Sequence, residues 1–529
     1  MRLFGNLAQL FIFRGGTAGP QAAAIERRLS FARYDSAMKR REFLKTTAGA
    51  ATVPLFAAPR TRQPNVLFIA ADEWRAQSTG CNGDLNATTP VLDRLAKESV
   101  SFQNAVSGCP VCCPARASIM TGQYPLRNGV FINDVELKPN APTLAEVFAK
   151  AGYATGYIGK WHLYGSPDGN YGRRLSPVPP DKRFGFDYWK ACECSHDYNH
   201  SMYYEGNDTS PKFWPGYDAF SQTDDACQFI ESHAMSTDPF FLFLSLGPPH
   251  FPYQSAPQQY RALYEKRVLQ LRLNVPPEKR AEAETILRGY YAHMAAIDEC
   301  FERLLAMLDR LHIAEDTIVV FTSDHGDMML SQGLSTKLYP WDESVRIPFL
   351  LRYPRQFGSA GRRVKAALNL PDVMPTLLSL AALKVPDAVQ GRDLSRVAKG
   401  KKADDPESTA FLNLPVPITE ARRYGFAEYR GLRSARYTYV RSIQGPWLLY
   451  DNRHDPYQMR NLCNQPAAAS VQGLLDRQLS ARLRELKDDF LPAKEYLQRI
   501  GAAHYREVNV PVGHTQSPWS DWKSTLPSE

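Results

Sequence analysis

Val66-Leu67-Phe68-Ile69-Ala70-Ala71, closed by Asp72-Glu73, is an unbroken apolar run of strand length that stops at two carboxylates. A strand that is apolar at every position belongs inside a sheet covered on both faces, because a solvated face would alternate apolar with polar. Tyr153–Ile158, Phe240–Leu246, Thr317–Thr322 and Ile347–Tyr353 repeat the pattern. Between them the periodicity predicts helices at Thr89–Lys97, with Thr89 as cap and Pro90 in the first turn, and at Thr143–Ala151. Further helices are predicted over about 279–312, with Leu304, Leu305, Leu308 and Leu311 on one face, and at Pro371–Leu380. Strands alternating with helices give an α/β class: a large, mostly parallel sheet flanked by helices on both faces.

The chain of 529 residues exceeds one ordinary domain. From about residue 400 its character changes. Ala403–Glu407 is polar and linker-like, Gly431–Ser442 and Pro446–Tyr450 read as antiparallel strands, and a helix is expected at about 470–487. This divides the protein into a leader over 1–60, a large α/β domain over 61–400 and a smaller C-terminal α+β domain over 401–529. Residues 164–215, rich in Gly, Pro, Tyr and Asp and without periodicity, read as a long surface insertion.

In the leader, Lys39-Arg40-Arg41-Glu42-Phe43-Leu44-Lys45 precedes the apolar run Thr46–Ala58. This is the pattern of a twin-arginine export signal, with Met38 as the expected true start. It predicts a twin-arginine translocase as partner and a periplasmic or secreted protein. The apolar run is too short to span a bilayer, and no membrane span is expected in the mature chain. The charge excess is modest, 63 basic against 55 acidic residues, and no basic stripe interleaves with aromatics, which argues against nucleic acid. Nine cysteines without framework spacing exclude a disulfide scaffold.

In open parallel sheets, ligands bind outside the carboxyl ends of the strands. There the polar residues collect: Asp72-Glu73, Lys160 with His162, His250, and Asp324-His325 each follow an apolar strand. Asp72, Glu73 and Asp324 offer hard oxygen ligands of the kind that hold Ca²⁺ or Mg²⁺, and His325 adds a nitrogen. Lys160, Lys337, His162, His250 and Arg116 add cationic or hydrogen-bonding groups. A divalent cation beside several cationic side chains describes a site for a phosphate or sulfate ester.

The chain resembles the type I sulfatases of the alkaline phosphatase superfamily, from Asn65 through the C-terminal region. The most specific segment is Cys109-Pro110-Val111-Cys112-Cys113-Pro114-Ala115-Arg116-Ala117-Ser118-Ile119-Met120-Thr121-Gly122. It carries the signature Cys-x-Pro-x-Arg followed by Thr-Gly. Of its three cysteines only Cys112 has proline at +2 and arginine at +4. Pro114 suits the first turn of a helix, whose N-terminus favours an anion.

The resemblance implies that a maturase oxidises Cys112 to Cα-formylglycine, whose hydrate attacks sulfur with one hydroxyl and expels sulfate through the other. It also implies that Asp72, Glu73, Asp324 and His325 hold the metal with the modified Cys112, Ca²⁺ first and Mg²⁺ as the alternative. Arg116 would orient the formylglycine, and Lys160 would hold it while His162 takes its proton. His250 and Lys337 would bind the sulfate and protonate the leaving group. One position departs from the family, whose first metal pair is Asp-Asp. Glu73 is one methylene longer, so it either ligates the metal or stands one layer out.

The substrate beyond its sulfate is not in the signature. Glu193, His196 and His200, in the insertion, suit a sugar, which makes a sulfated glycan the expected substrate and aryl sulfates accepted surrogates. The competing readings are a phosphodiesterase or phosphonate monoester hydrolase on the same core, and a non-catalytic glycan-binding relative.

Overall fold

The structure is a computed structural model that describes residues 63–166, 172–418, 421 and 424–503. The leader, with its twin-arginine segment and Met38, lies outside the described residues.

Ten strands form one sheet: β1 (Asn65–Asp72), β2 (Val100–Val106), β3 (Ala154–Lys160), β4 (Tyr188–Cys192), β5 (Met202–Glu205), β6 (Lys212–Phe213), β7 (Phe240–Pro249), β8 (Thr317–Ser323), β9 (Phe349–Arg352) and β10 (Arg362–Asn369). Their order is β10-β2-β9-β8-β1-β7-β3-β4-β5-β6. β1 lies at the centre, parallel to β7 on one side and β8 on the other, and every one of its residues is buried. Its alternation divides the core. Val66, Phe68 and Ala70 join one apolar layer, while Leu67, Ile69 and Ala71 join the opposite one. The first layer packs on α2 (Cys112–Thr121), and the second on the helices Asp218–Ala234 and Arg280–Arg310.

Four features differ from the sequence reading. The segment read as a surface insertion contains β4, β5 and β6, which extend the sheet. Trp189 and Ala191 of β4 face the core while Tyr188 and Lys190 are half-buried, an alternation too short to stand out among the surrounding glycines and prolines. β2 and β10 pair in parallel at the far edge. β10 opens with Arg362-Arg363, the charged start of an edge strand that must not recruit another chain. β9, expected as one more strand, runs antiparallel to both β2 and β8.

The fourth concerns α1 (Pro90–Lys97), which does begin after Thr89, although the Thr89 side chain makes no cap hydrogen bond. Its first N–H groups are taken from a distance: Val91 N and Leu92 N donate to Asp298 Oδ2 and Oδ1 at 2.9 and 2.8 Å.

The C-terminal strands β11 (Ala410–Leu414), β12 (Tyr429–Arg433), β13 (Tyr437–Ser442) and β14 (Gly445–Asp451) form an antiparallel sheet in sequence order. One face packs on Leu475, Leu479 and Leu483 of the helix Ala469–Leu486. The other shares a core with Leu338, Tyr339, Trp341 and Val345, which directly follow Lys337. Among the described residues, no helix is long and apolar enough to cross a membrane.

Candidate active site

Hydrogen bonding locks two adjacent strand exits together. β1 ends at Asp72 and β8 at Ser323, and Trp74 N donates to Ser323 Oγ at 2.9 Å. Glu73 N and His325 N both donate to Asp324 Oδ1, at 3.1 and 2.9 Å. The turn holds Glu73 at φ 69°, a left-handed conformation that side chains resist and that this network pins.

α2 enters from beneath with Cys112 as its first residue. In its first turn Cys113 N donates to Asn133 Oδ1 at 3.0 Å, Pro114 has no N–H, and Ala115 N bonds Val111 O. Attraction for an anion at this mouth therefore rests mainly on side-chain cations rather than on the helix end. Cys112 is 1% exposed, and its Sγ lies 3.2 Å from His325 Nε2 and 3.9 Å from Asp72 Oδ1. Ligand atoms of Asp72, Cys112, Asp324 and His325 all fall within 4.8 Å of one another. His325 Nδ1 sits 3.0 Å from the Gly326 carbonyl, so Nε2 faces the cluster. Burial pushes the ring down, but Asp324 outweighs it and raises it to about 9, and a cation bound there would displace the Nε2 proton.

Burial pushes the Asp72 carboxyl up, but Lys160 and Arg116 outweigh it and hold Asp72 well below the usual carboxylate range. Asp324 is pushed up by burial and by the charge on Asp72. Burial also works against ionisation of the Cys112 thiol, yet Lys160, Lys337 and His325 bring it well below its ordinary value. Burial takes Cys109 up to about 12 and Cys113 up to about 11, outweighing Arg430 and His162 beside them, so both stay inert thiols. Two carboxylates and an imidazole nitrogen converging on one buried point are a donor set that fits a hard divalent cation.

The cations surround this point. Arg116 grips both carboxylates, with Nε 3.1 Å from Asp324 Oδ2 and NH2 3.2 Å from Asp72 Oδ2. Its NH1 donates to Lys160 O and Ser245 Oγ at 3.0 and 2.7 Å, tying α2 to the end of β3 and to β7 at Ser245. Lys160 Nζ stands 2.5 Å from Asp72 Oδ2. His162 is buried, neither ring nitrogen has a hydrogen-bond partner, and Nε2 is 3.8 Å from Asp134 Oδ1.

Glu73 stands outside the four-residue group. Its Oε2 is 3.2 Å from His250 Nε2 and its Oε1 3.3 Å from Lys337 Nζ. Lys337 Nζ is 2.8 Å from His250 Nε2, while His250 Nδ1 is 3.0 Å from the Phe251 carbonyl. Nδ1 therefore carries the proton and Nε2 accepts from the ammonium. Burial and the Lys337 charge hold His250 well below the ordinary imidazole value, so it is neutral.

The three substrate candidates of the 164–215 segment separate. Glu193 is fully buried and accepts from the backbone N–H groups of Leu163, Tyr164 and Gly165 at 3.2, 3.0 and 2.7 Å, which shapes the turn after His162. His196 stacks on His250, with ring centroids 4.1 Å apart, and reaches the site's wall. His200 is exposed and stacks on Phe213. Sequence reasoning missed Asn133, Asp134 and Ser245. The first two follow the apolar Val130-Phe131-Ile132 just as Asp72-Glu73 follow β1, a signal that was present but short.

Residues 64–383 match the family model described as Sulfatase, and residues 331–487 match the one described as the C-terminal region of N-sulphoglucosamine sulphohydrolase. This chain belongs to the sulfatase family. It is a sulfuric ester hydrolase, and the family implies a metal and a formylglycine. The sulfatase is 42% identical over 466 residues to an ulvan-active sulfatase of Formosa agariphila, covering 86% of this chain and 89% of that one. It is 31% identical to an endo-4-O-sulfatase of Bacteroides thetaiotaomicron, covering 84% of this chain and 97% of that one. A solved structure of a candidate sulfatase, YidJ, from Bacteroides fragilis superposes with a TM-score of 0.74 at 31% identity, over 84% of this chain and 99% of that one.

Proposed function

We propose that this sulfatase removes sulfate from a sulfated glycan, using a formylglycine made from Cys112 and a divalent cation, Ca²⁺ before Mg²⁺. The observation that carries the reading is the position of Cys112. The one cysteine in register with the sulfatase signature is also the one packed among Asp72, Asp324 and His325. Those three would hold the cation, with the modified residue 112 as a further ligand. The hydrated aldehyde would supply a hydroxyl nucleophile toward sulfur, and the metal a positive charge against the sulfate oxygens.

The chain's own residues supply the rest. Lys160 and Lys337 bring fixed cations to a buried pocket, where a sulfate ester replaces lost solvation with charge-assisted hydrogen bonds. Neutral His250 accepts from Lys337 and so aims that ammonium, whose proton can pass to the departing alkoxide oxygen. His162 has its Nε2 3.8 Å from Asp134 Oδ1. Burial pushes the ring down, but Cys194 and Asp134 outweigh it and hold it well above the ordinary imidazole value, so it would shed a proton before accepting one from the hydrate. The glycan reading draws support from the relatives, described as ulvan-active and endo-4-O-sulfatases. The leader motif is the basis for proposing twin-arginine export to the periplasm or beyond.

Peptide mass spectrometry across residues 109–122 tests the modification. The peptide of active protein should have lost one sulfur and two hydrogens and gained one oxygen, and an unmodified thiol in fully active enzyme overturns the reading. Chelation should abolish activity and Ca²⁺ should restore it. A sulfated oligosaccharide should give a higher kcat/KM than an aryl sulfate, and faster cleavage of an aryl phosphonate monoester would reassign the reaction.

A further inference from the structure

A cavity of about 350 Å³ opens beside the turn that follows β1, walled by residues that take no part in the site above. It is adjacent to that site through the backbone: Tyr290 Oη accepts from Arg75 N at 3.0 Å, and its hydroxyl donates to Glu73 O at 2.8 Å. Three guanidinium groups line it, those of Arg75, Arg272 and Arg346. Arg75 is 2% exposed and makes no ion pair among the described residues. Its Nε donates to Ser78 Oγ at 2.7 Å, and its NH1 is buried with no acceptor. Arg346 uses NH1 on Asp342 and NH2 on the Gln103 carbonyl, and its Nε is likewise buried without an acceptor. Gln77, also on the wall, has both amide atoms buried and unpartnered.

Buried donors almost always find an acceptor, and the unmet donors here (Arg75 NH1, Arg346 Nε and Gln77 Nε2) outnumber the one unmet acceptor on the wall, Gln77 Oε1, and so call for an acceptor from outside the chain. The nearby carboxylates are already engaged. Asp84 accepts from Tyr291 Oη at 2.6 Å and from Asn86 N at 2.8 Å. Glu343 accepts from Arg272 Nε at 2.7 Å, and Asp342 is held by two nitrogens of Arg433 at 2.7 and 2.9 Å. Arginine forks suit planar or tetrahedral oxyanions, and the cavity volume lies in the range of small-ligand sites.

We propose that this cavity is a second oxyanion site, separate from the nucleophile, which takes a sulfate or carboxylate group. Two sources share that chemistry: inorganic sulfate released by the reaction, and an acidic group carried on a sugar.

The test uses crystals of the full enzyme soaked in selenate, whose selenium scatters anomalously, and calorimetric titration in solution with inorganic sulfate and with glucuronate. A selenium peak within hydrogen-bonding distance of Arg75 and Arg346 is expected. Gln77→Glu places a carboxylate among the unmet donors, so it should keep its thermal midpoint, lose that peak and bind the cavity's anion roughly tenfold more weakly. Displacement of selenate at lower glucuronate than sulfate concentration identifies the sugar-borne group, and the reverse order identifies the released product. Absence of selenium from the cavity, or undiminished binding in Gln77→Glu, overturns the proposal. Neither readout depends on turnover, so loss of the glycan reading would leave this result standing, and the converse holds.

Discussion

Arg116 is the residue on which the charge balance of the site turns. It contacts both Asp72 and Asp324 while 3% exposed, and its remaining nitrogen ties the end of one strand, at Lys160, to the next strand at Ser245. Removing one partner of a buried ion pair strands the other, at a cost of about 3–5 kcal/mol, whereas a shorter cation preserves part of the interaction. Arg116→Ala should therefore lower the unfolding free energy by an amount in that range, read as a fall in urea midpoint at constant m. Arg116→Lys should fall between it and the native protein, because an ammonium cannot bridge two carboxylates and a carbonyl in one plane. Both should lack activity. A midpoint for Arg116→Ala equal to that of the native chain would mean that the carboxylates are neutralised by something other than arginine.

At the scale of elements, the helix start that Thr89 was expected to cap is governed by Asp298, from the middle of the long helix Arg280–Arg310. Asp298→Ala removes both acceptors from the first turn of α1 and should cost about 0.5–2 kcal/mol in chemical denaturation. No measurable change would assign those N–H groups to solvent. This element marks where the sequence is legible. The run 66–73 placed a central strand and its two exit carboxylates, and the apolar strands ending in Lys160, His250 and Asp324 placed the remaining corners, since burial on both faces leaves a compositional trace. A cap contributed from 207 residues away leaves none. The same holds for β4, whose two inward residues are too few to form a pattern, and for the direction of β9, which depends on chain path rather than on its own residues. Glu73 was legible as a carboxylate in the right turn, but its place 3.3 Å from Lys337 Nζ follows a backbone angle that no side-chain pattern reports.

For the whole molecule, the small antiparallel sheet is joined to the catalytic sheet by the buried pair Arg433–Asp342 as well as by shared apolar packing. Burial pushes the Asp342 carboxyl up, but Arg433 outweighs it and lowers the group to about 2. A carboxylate depressed in the folded state stabilises fully above its unfolded value, near 3.8, and that contribution is lost as pH falls through about 2. The native chain should lose roughly 2 kcal/mol from this group between pH 4 and 2. Asp342→Asn should be less stable at neutral pH and lack that part of the acid slope, and an unchanged slope would assign it to other carboxylates. The near-complete burial of Cys112 has a different consequence, one of timing. In the folded protein no enzyme can reach a side chain that is 1% exposed at the mouth of a packed helix. If Cys112 is oxidised as proposed, that step must come before α2 docks, so maturation would compete with folding, and the yield of active protein would be set by a race rather than an equilibrium. A peptide spanning 109–122 should be converted by the maturase, whereas chain refolded with Cys112 intact should remain permanently unconverted.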